Sequence, residues 1–456
     1  MSLDLKAPAG LLEPIQGRDQ LVDWFRSAEK PRSEFRVGVE HEKIGVVDGS
    51  LVAVPYYGDS GIRSILDALA RDAGGMQHQH KESGQPIAVL ANDASVTLEP
   101  GGQLELSGAP TRSLREAAAE IERHLSVLER ESKKRGITWL GAGYRPFGTR
   151  EEVPWMPKGR YGAMRKSLGP RGRLALDMML MTATVQTNLD FSDERDMAEK
   201  ARTSTAVSPI VTALFANSPI VGGKPSEYLD FRYQVWRECD PDRCGLLAPM
   251  LRDDFGYEAY TDWALDVPML FVRQGPEYLD SKGQTFRDWL RTGRLRSGET
   301  AEPLLGNWVD HLTTLFPEVR VKRVVELRGA DVVPPPYLNA LAALWVGLLY
   351  DGQARGAAWE LTRRWTFEEL VDFQGEVAKK ALSARGPDRR TAREMARTLL
   401  GLARDGLGRW ALESGEDARG FLDPLEDVLE KGTLAERALS AFQEGGDALL
   451  SYWKIA

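Results

Sequence analysis

Polar and apolar residues alternate along four stretches of this 456-residue chain, and each alternation predicts a β-strand with one buried face. The first, residues 35–47, is rich in β-branched residues and runs into an Asp48-Gly49 turn signal. Its register puts Glu40 and Glu42 on one face beside Arg36 and Gly38, with Val37 and Val39 turned to a core. The second, residues 95–107, is broken by Pro100-Gly101-Gly102; Gln103 and Glu105 share a face, and Glu99 stands across the break. In the third, within 174–191, every even position from Thr182 to Asp190 is polar, including Gln186 and Asn188, while Ala183, Val185 and Leu189 face inward. The fourth, residues 320–327, follows Pro317 and continues to Arg328; Glu326 and Arg328 share a face with Val324.

A period near 3.6 takes over between these strands. Residues 16–29, 60–73 and 111–135 read as amphipathic helices. The last is the clearest, with Ser113-x-x-Glu116 resembling a capping box, a stripe of Leu114, Ile121, Leu125 and Leu128, and Gly136 at its end. Residues 193–215 are helical, with Pro209 expected to kink or divide them. Residues 87–90 and 137–140 are short strands, His78 and His80 fall in a polar loop, and 144–157 is a Pro- and Gly-rich loop. The stretch 219–260 reads as irregular and dense in Arg, Trp and Asp, and from about 338 onward the pattern is almost wholly helical. The fold class predicted is α+β in one unit, residues 1–456, with a sheet-bearing part over about 15–335 and a helical part over about 336–456.

Composition narrows the chemistry. Hydrophobic residues at 42% and charged residues at 28% are globular proportions, and a net charge of −8 argues against a nucleic-acid binder. The longest strongly apolar run, residues 340–350, is shorter than the roughly 20 residues that span a bilayer, so no membrane partner is expected. Cys239 and Cys244 are the only cysteines and read as unpaired thiols, which fits a reducing compartment. No leader-like segment opens the chain, and a cytoplasmic location is expected. Neither a G-x-x-x-x-G-K-[ST] loop nor G-x-G-x-x-G occurs, and none of the five histidines is placed beside a nucleophile; His124 borders a helical stripe and reads as structural.

The polar strands instead offer carboxylates and amides. Hard oxygen donors of this kind suit Mg²⁺, with Mn²⁺ as the alternative, and an acid-lined face is relieved by divalent cations carrying a phosphate chain. Any one strand taken alone also fits the wet face of an antiparallel sheet. Arginine and lysine for phosphate or carboxylate stand nearby in sequence: Lys158, Arg160 and Arg165, with Arg171 and Arg173, precede the third polar strand, and Arg232, Arg237 and Arg243 follow it.

Several motifs resemble the plant-type glutamate–cysteine ligases, within the larger glutamine-synthetase-like group. They are Val37-Gly-Val-Glu-His-Glu-Lys-Ile-Gly45, Thr97-Leu-Glu-Pro-Gly-Gly-Gln-Leu-Glu-Leu-Ser-Gly-Ala-Pro110, Met156-Pro-Lys-Gly-Arg-Tyr161, Asp177-Met-Met179, Thr184-Val-Gln-Thr-Asn-Leu-Asp-Phe191, Ala213-Leu-Phe-Ala-Asn-Ser-Pro219 and Glu326-Leu-Arg-Gly-Ala-Asp331. The resemblance implies a curved antiparallel sheet whose concave side holds ATP, metal and glutamate. It also implies the reaction: ATP phosphorylates the γ-carboxylate of L-glutamate, and L-cysteine displaces phosphate to give γ-glutamylcysteine, the first step toward glutathione.

The same resemblance implies the roles. Glu40, Glu42, Glu99, Glu105 and Glu326 would hold Mg²⁺, joined by Gln186 where related ligases place a histidine. Arg328, Glu326 and Glu42 would be catalytic. Lys158, Arg328 and Arg243 would meet ATP, and Arg232 the glutamate α-carboxylate, with Arg160, Arg165 and Asn188 in support. Met178, Met179, Thr182 and Trp236 would line the amine pocket. Ser281 stands at a family cysteine position, which argues against that form of redox control, and a bacterial cytoplasmic enzyme, monomer or homodimer, is expected. Two other readings remain open: the same ligase machinery with a different amine acceptor, and a non-catalytic sensing protein.

Overall fold

The computed structural model describes residues 10–72, 77–82, 84–91 and 93–456, without the side chains of 77–81. Its organising element is β1 (Val37–Val47), long enough to pair with three partners. On one side lies β5 (Leu104–Ser107), followed outward by β4 (Ala94–Leu98), β3 (Gln85–Ala91) and β2 (Gln77–Glu82). On the other lies β7 (Thr184–Leu189), then the hairpin of β8 (Val319–Val321) and β9 (Val325–Asp331), while β6 (Ile137–Leu140) pairs with the far end of β1. Every pairing in this sheet is antiparallel.

Helices cover the back of the sheet. α1 (Arg18–Arg26) precedes β1, and behind β1 and β3–β6 run α2 (Ile62–Asp72) and α3 (Leu114–Lys133), whose N-cap Ser113 accepts from the Glu116 amide. Behind β7 and β9 run α6 (Glu194–Phe215) and the helix Pro335–Leu349. Val37, Val39, Ile44 and Val46 are buried, each worth about 1.5–3 kcal/mol relative to exposure. The helices after Pro335 share one hydrophobic cluster with the sheet. On the front sit α4 (Gly159–Leu168), α5 (Ala175–Met181) and α7 (Phe231–Arg237), beside the acids of β1.

A buried ammonium ties the layers together. Lys200 on α6 donates to the Asp190 carbonyl (2.7 Å) and the Asp196 carboxylate (2.6 Å), and its Nζ lies 4.3 Å from the Phe35 ring centre and 4.9 Å from that of Tyr350. The Tyr350 hydroxyl accepts from the Asp190 amide and donates to the Arg36 carbonyl, so β1, β7 and the helix behind them are pinned at one corner.

The structure departs from the sequence pattern in several places. Residues 320–327 are not one strand but a hairpin, turning at Lys322–Val324, with Arg320 opposite Glu326. The segment with His78 and His80 is β2, not a loop. Met178 and Met179 lie on α5, a seven-residue helix, not on a strand. Pro209 leaves α6 undivided, because the helix is buried all round from Thr203 onward and packing holds it. The stretch 219–260, read as irregular, contains α7 and the start of the helix Tyr257–Asp266. Among the described residues no helix is long and apolar enough to cross a membrane.

The Pro100-Gly101-Gly102 break is a tight turn against α5. Gly102 has φ +79°, and a Cβ on Gly101 would stand 2.3 Å from the Leu180 carbonyl oxygen. Backbone cannot yield there as a side-chain tip would. Gly101→Ala is expected to cost about 1–3 kcal/mol, read as a lower urea midpoint. Wild-type stability in that variant would contradict the close approach.

Candidate active site

Cross-strand pairing decides which acids meet. Glu40 lies opposite Gln186 on one side of β1 and opposite Ser107 on the other, and Glu42 lies opposite Glu105. The three carboxylates are seated on the front of the sheet in low-dielectric surroundings. Their neighbours include several dipoles: Asn188 Nδ2 donates to Glu40 (2.9 Å), the Thr184 amide to Glu42 (3.0 Å), and the Thr97 and Ser107 hydroxyls to Glu105 (3.0 and 3.3 Å). Burial, with the Glu105 and Glu326 charges, pushes Glu40 up to about 7. Burial, with Glu105 and Glu99, pushes Glu42 up to about 8.

Glu326 on β9 has the opposite environment. Arg320, its cross-strand partner, grips it through two nitrogens, Lys322 Nζ lies 3.0 Å away and Arg328 Nη1 3.2 Å. Burial opposes ionisation here too, yet the three cations hold Glu326 well below the usual carboxylate range. Arg328 Nη1 also donates to Gln186 Oε1 (2.9 Å).

Arg328 and Arg232 share the Trp236 indole, their guanidinium carbons 5.7 and 5.4 Å from the ring centre. Arg232, on α7, donates to the Arg328 carbonyl at 2.9 Å. The ε nitrogens of both arginines are buried with no hydrogen-bond partner, so each keeps a donor for an anion. Met178, Met179 and Thr182 form an adjoining wall, and Phe316 meets the Trp236 ring edge-on at 5.9 Å. Lys158, at the N-cap of α4, is 5% exposed; burial lowers its pKa, while Glu99 and Glu105 oppose that. Size does not locate this site. Hollows of about 500 and 580 Å³ lie beside Trp359 and between α3 and β4, whereas the acids and arginines surround one of about 60 Å³. Chemistry singles out the small one.

The expected residues divide accordingly. Glu42, Glu99, Thr182, Met178, Met179, Gln186, Arg232, Trp236 and Arg328 line one hollow. Glu40, Glu105 and Asn188 adjoin it through the same strands. Arg243 does not reach it: its guanidinium is consumed by Asp240 (2.7 Å) and by the Thr314 and Pro268 carbonyls, in a fully buried structural knot. Arg165 is exposed against Trp155, and Arg160 bonds Thr313 and lies over Phe271 with its ε nitrogen buried and unpartnered; neither lines this hollow. Arg320 and Gln103 line the hollow without having been assigned to it. Gln103 accepts from the Gly101 amide and donates to the Thr182 carbonyl (2.8 Å), joining the glycine turn to α5.

The oxygen donors match a hard divalent cation in kind. Among the described residues, however, no three His, Cys, Asp or Glu side chains converge on one ion position.

The sequence profile of the family described as glutamate–cysteine ligase family 2 matches residues 36–451. The chain belongs to that family. The chloroplastic glutamate–cysteine ligase of Medicago truncatula is 42% identical over 431 residues, 94% of this chain and 82% of that protein. The chloroplastic enzyme of Arabidopsis thaliana is 41% identical over 94% of this chain and 80% of its own length. In fold, the chain resembles the crystal structure of a glutamate–cysteine ligase from Francisella tularensis in complex with AMP, with a TM-score of 0.54 at 13% identity, covering 92% of this chain and 87% of that one. The plant-type resemblance and the α+β fold are therefore borne out. The expected bacterial cytoplasmic location is overturned, because these glutamate–cysteine ligase relatives are chloroplastic plant proteins.

The raised Glu42 fixes a sign. A carboxyl whose folded pKa stands above its unfolded value contributes stability that is complete below the unfolded value of 4.5 and lost as pH rises through about 8. Glu42→Gln keeps the neutral shape. In metal-free buffer the variant is expected to match wild type near pH 4 and to exceed it increasingly up to about pH 8, read by thermal melting. Wild type remaining the more stable at pH 8 would contradict this assignment.

Proposed function

We propose that the chain makes γ-glutamylcysteine from L-glutamate, L-cysteine and ATP, through γ-glutamyl phosphate. The observation that carries this is family membership across residues 36–451, with the polar strands delivering their acids and arginines to one sheet face. The assignment of residues to steps rests on the geometry above.

Arg232 grips the glutamate α-carboxylate with its spare ε donor, and the Trp236 face beneath it limits its swing. Arg328 meets the transferring phosphoryl group, where a fixed cation in a dry site offsets charge as it develops. Glu326 serves here as a positioning residue. With its oxygens committed to Arg320, Lys322 and Arg328, it aims Arg328 and is left out of the metal set. Gln186 likewise spends its carbonyl on Arg328.

Glu40, Glu42 and Glu105, with Glu99, are the residues that would hold Mg²⁺, Mn²⁺ being the alternative. Such an ion, when bound, neutralises these carboxylates and the phosphate oxygens together. Lys158 reaches the phosphate chain from the mouth of α4. Met178, Met179 and Trp236 keep water from the acyl phosphate while the cysteine amine attacks. Phosphate leaves as the amide bond forms.

The direct test is ADP release with glutamate, scanned across amines. Turnover best with cysteine is expected; a different best amine would replace the acceptor, and no turnover with any amine would overturn the ligase reading. Arg328→Lys is expected to lower kcat by about 10²–10³ with little change in fold, and a kcat near wild type would contradict its role at the phosphoryl group.

A further inference from the structure

Behind the two arginines lies a pair of acids that no step above uses. Asp331 ends β9, three residues after Arg328, and Asp230 is the N-cap of α7, two residues before Arg232. Both are 0% exposed. Ser218 stands between them, its hydroxyl 2.7 Å from Asp331 Oδ2 and 3.3 Å from Asp230 Oδ1. Asp331 Oδ2 also accepts from the Asn217 amide (2.8 Å), and Asp230 Oδ1 from the Tyr233 amide (2.8 Å). Each carboxyl then has one oxygen left, Asp230 Oδ2 and Asp331 Oδ1, and both are buried with no donor.

Two ionised carboxylates in contact and out of water repel strongly, and two orphaned acceptors add the cost of unmet hydrogen bonding. No lysine or arginine forms an ion pair with either one among the described residues; the charged group acting on both is Arg232, with the Tyr233 phenol also near Asp230. One proton removes the difficulty, since a protonated oxygen becomes the donor the other carboxyl lacks. Asp331 is packed closely against backbone: a Cβ on Gly143 would stand 2.1 Å from its Cγ.

We propose that Asp230 and Asp331 hold a single proton between them, and that this clasp positions Arg232 for the glutamate α-carboxylate. The connection is short. The Arg232 amide donates to the same Ser218 hydroxyl (3.1 Å), and its guanidinium donates to the Arg328 carbonyl (2.9 Å), so the first turn of α7 and the end of β9 are set by one group of bonds. Burial and the facing carboxyl raise Asp230 well above its ordinary value, and burial raises Asp331 to about 6, in the direction the clasp requires. As pH rises the proton leaves, the acids repel, and α7 loosens at its N-terminus. The inference rests on Arg232 being the glutamate grip.

Four chains test it: wild type, Asp331→Asn, Asp331→Leu and Arg232→Lys, each assayed for the KM of glutamate, the KM of ATP and kcat from pH 6 to 9.5. In wild type the glutamate KM is expected to climb at alkaline pH, with the ATP KM flat. Asp331→Asn carries its own donor, so it is expected to keep the neutral-pH glutamate KM and lose the alkaline climb. Asp331→Leu is expected to raise that KM about tenfold at every pH. A wild-type KM flat to pH 9.5, or equal damage from Asn and Leu, overturns the clasp. An unchanged glutamate KM in Arg232→Lys overturns the grip instead. In an infrared difference spectrum at neutral pH, wild type minus Asp331→Asn, one protonated-carboxyl band is expected beyond those that Glu40 and Glu42 give in both chains. Its absence also overturns the inference.

Discussion

The structure depends on carboxylates that repel one another being forced into adjoining seats. β1 pairs with β5 and β7 while Val37 and Val39 bury behind it, and a strand that buries one face must present the other. The presented positions are Glu40 and Glu42, with Glu105 opposite. Backbone pairing and apolar burial thus supply the free energy that holds like charges together. Glu40 and Glu42 answer by resisting ionisation, as buried carboxyls beside like charge do.

The cationic side of the site is arranged differently. Arg320, Lys322 and Arg328 surround Glu326, so one acid is fully neutralised by protein groups while its neighbours two strands away are not. Glu326 orders the arginines, and in the proposed reaction Glu40 and Glu42 would take the metal ion. The same residue type carries two jobs, and its partners decide which. Trp236 and the end of α7 complete the arrangement by giving both guanidiniums a common floor.

Much of this was legible in the chain because the period of two is robust wherever one face is buried. Glu40 and Glu42, Gln103 and Glu105, and Gln186 and Asn188 were recognisable as pairs on shared faces for that reason. The hairpin at 319–331 was not, since its turn, Lys322-Arg323-Val324, lacks the Gly, Asn or Pro that usually marks one. Missing that turn hid Arg320, whose importance comes from lying opposite Glu326. The helix bearing Met178 and Met179 is seven residues long and apolar nearly all round, so no periodicity distinguished it from a strand. Arg243 looked like Arg232 in sequence; only the fold shows one knotted to Asp240 and the other left with a free ε donor.

Calorimetry reads whether Glu40 and Glu42 hold protons until a cation replaces them. Mg²⁺ with a non-hydrolysable ATP analogue is titrated into the protein at pH 7 in buffers of differing ionisation heat. Protons are expected to be released on binding, seen as a heat that varies with the buffer, with a smaller release when Glu40 and Glu42 are both changed to Gln. Binding with no dependence on buffer in the wild-type chain would contradict it.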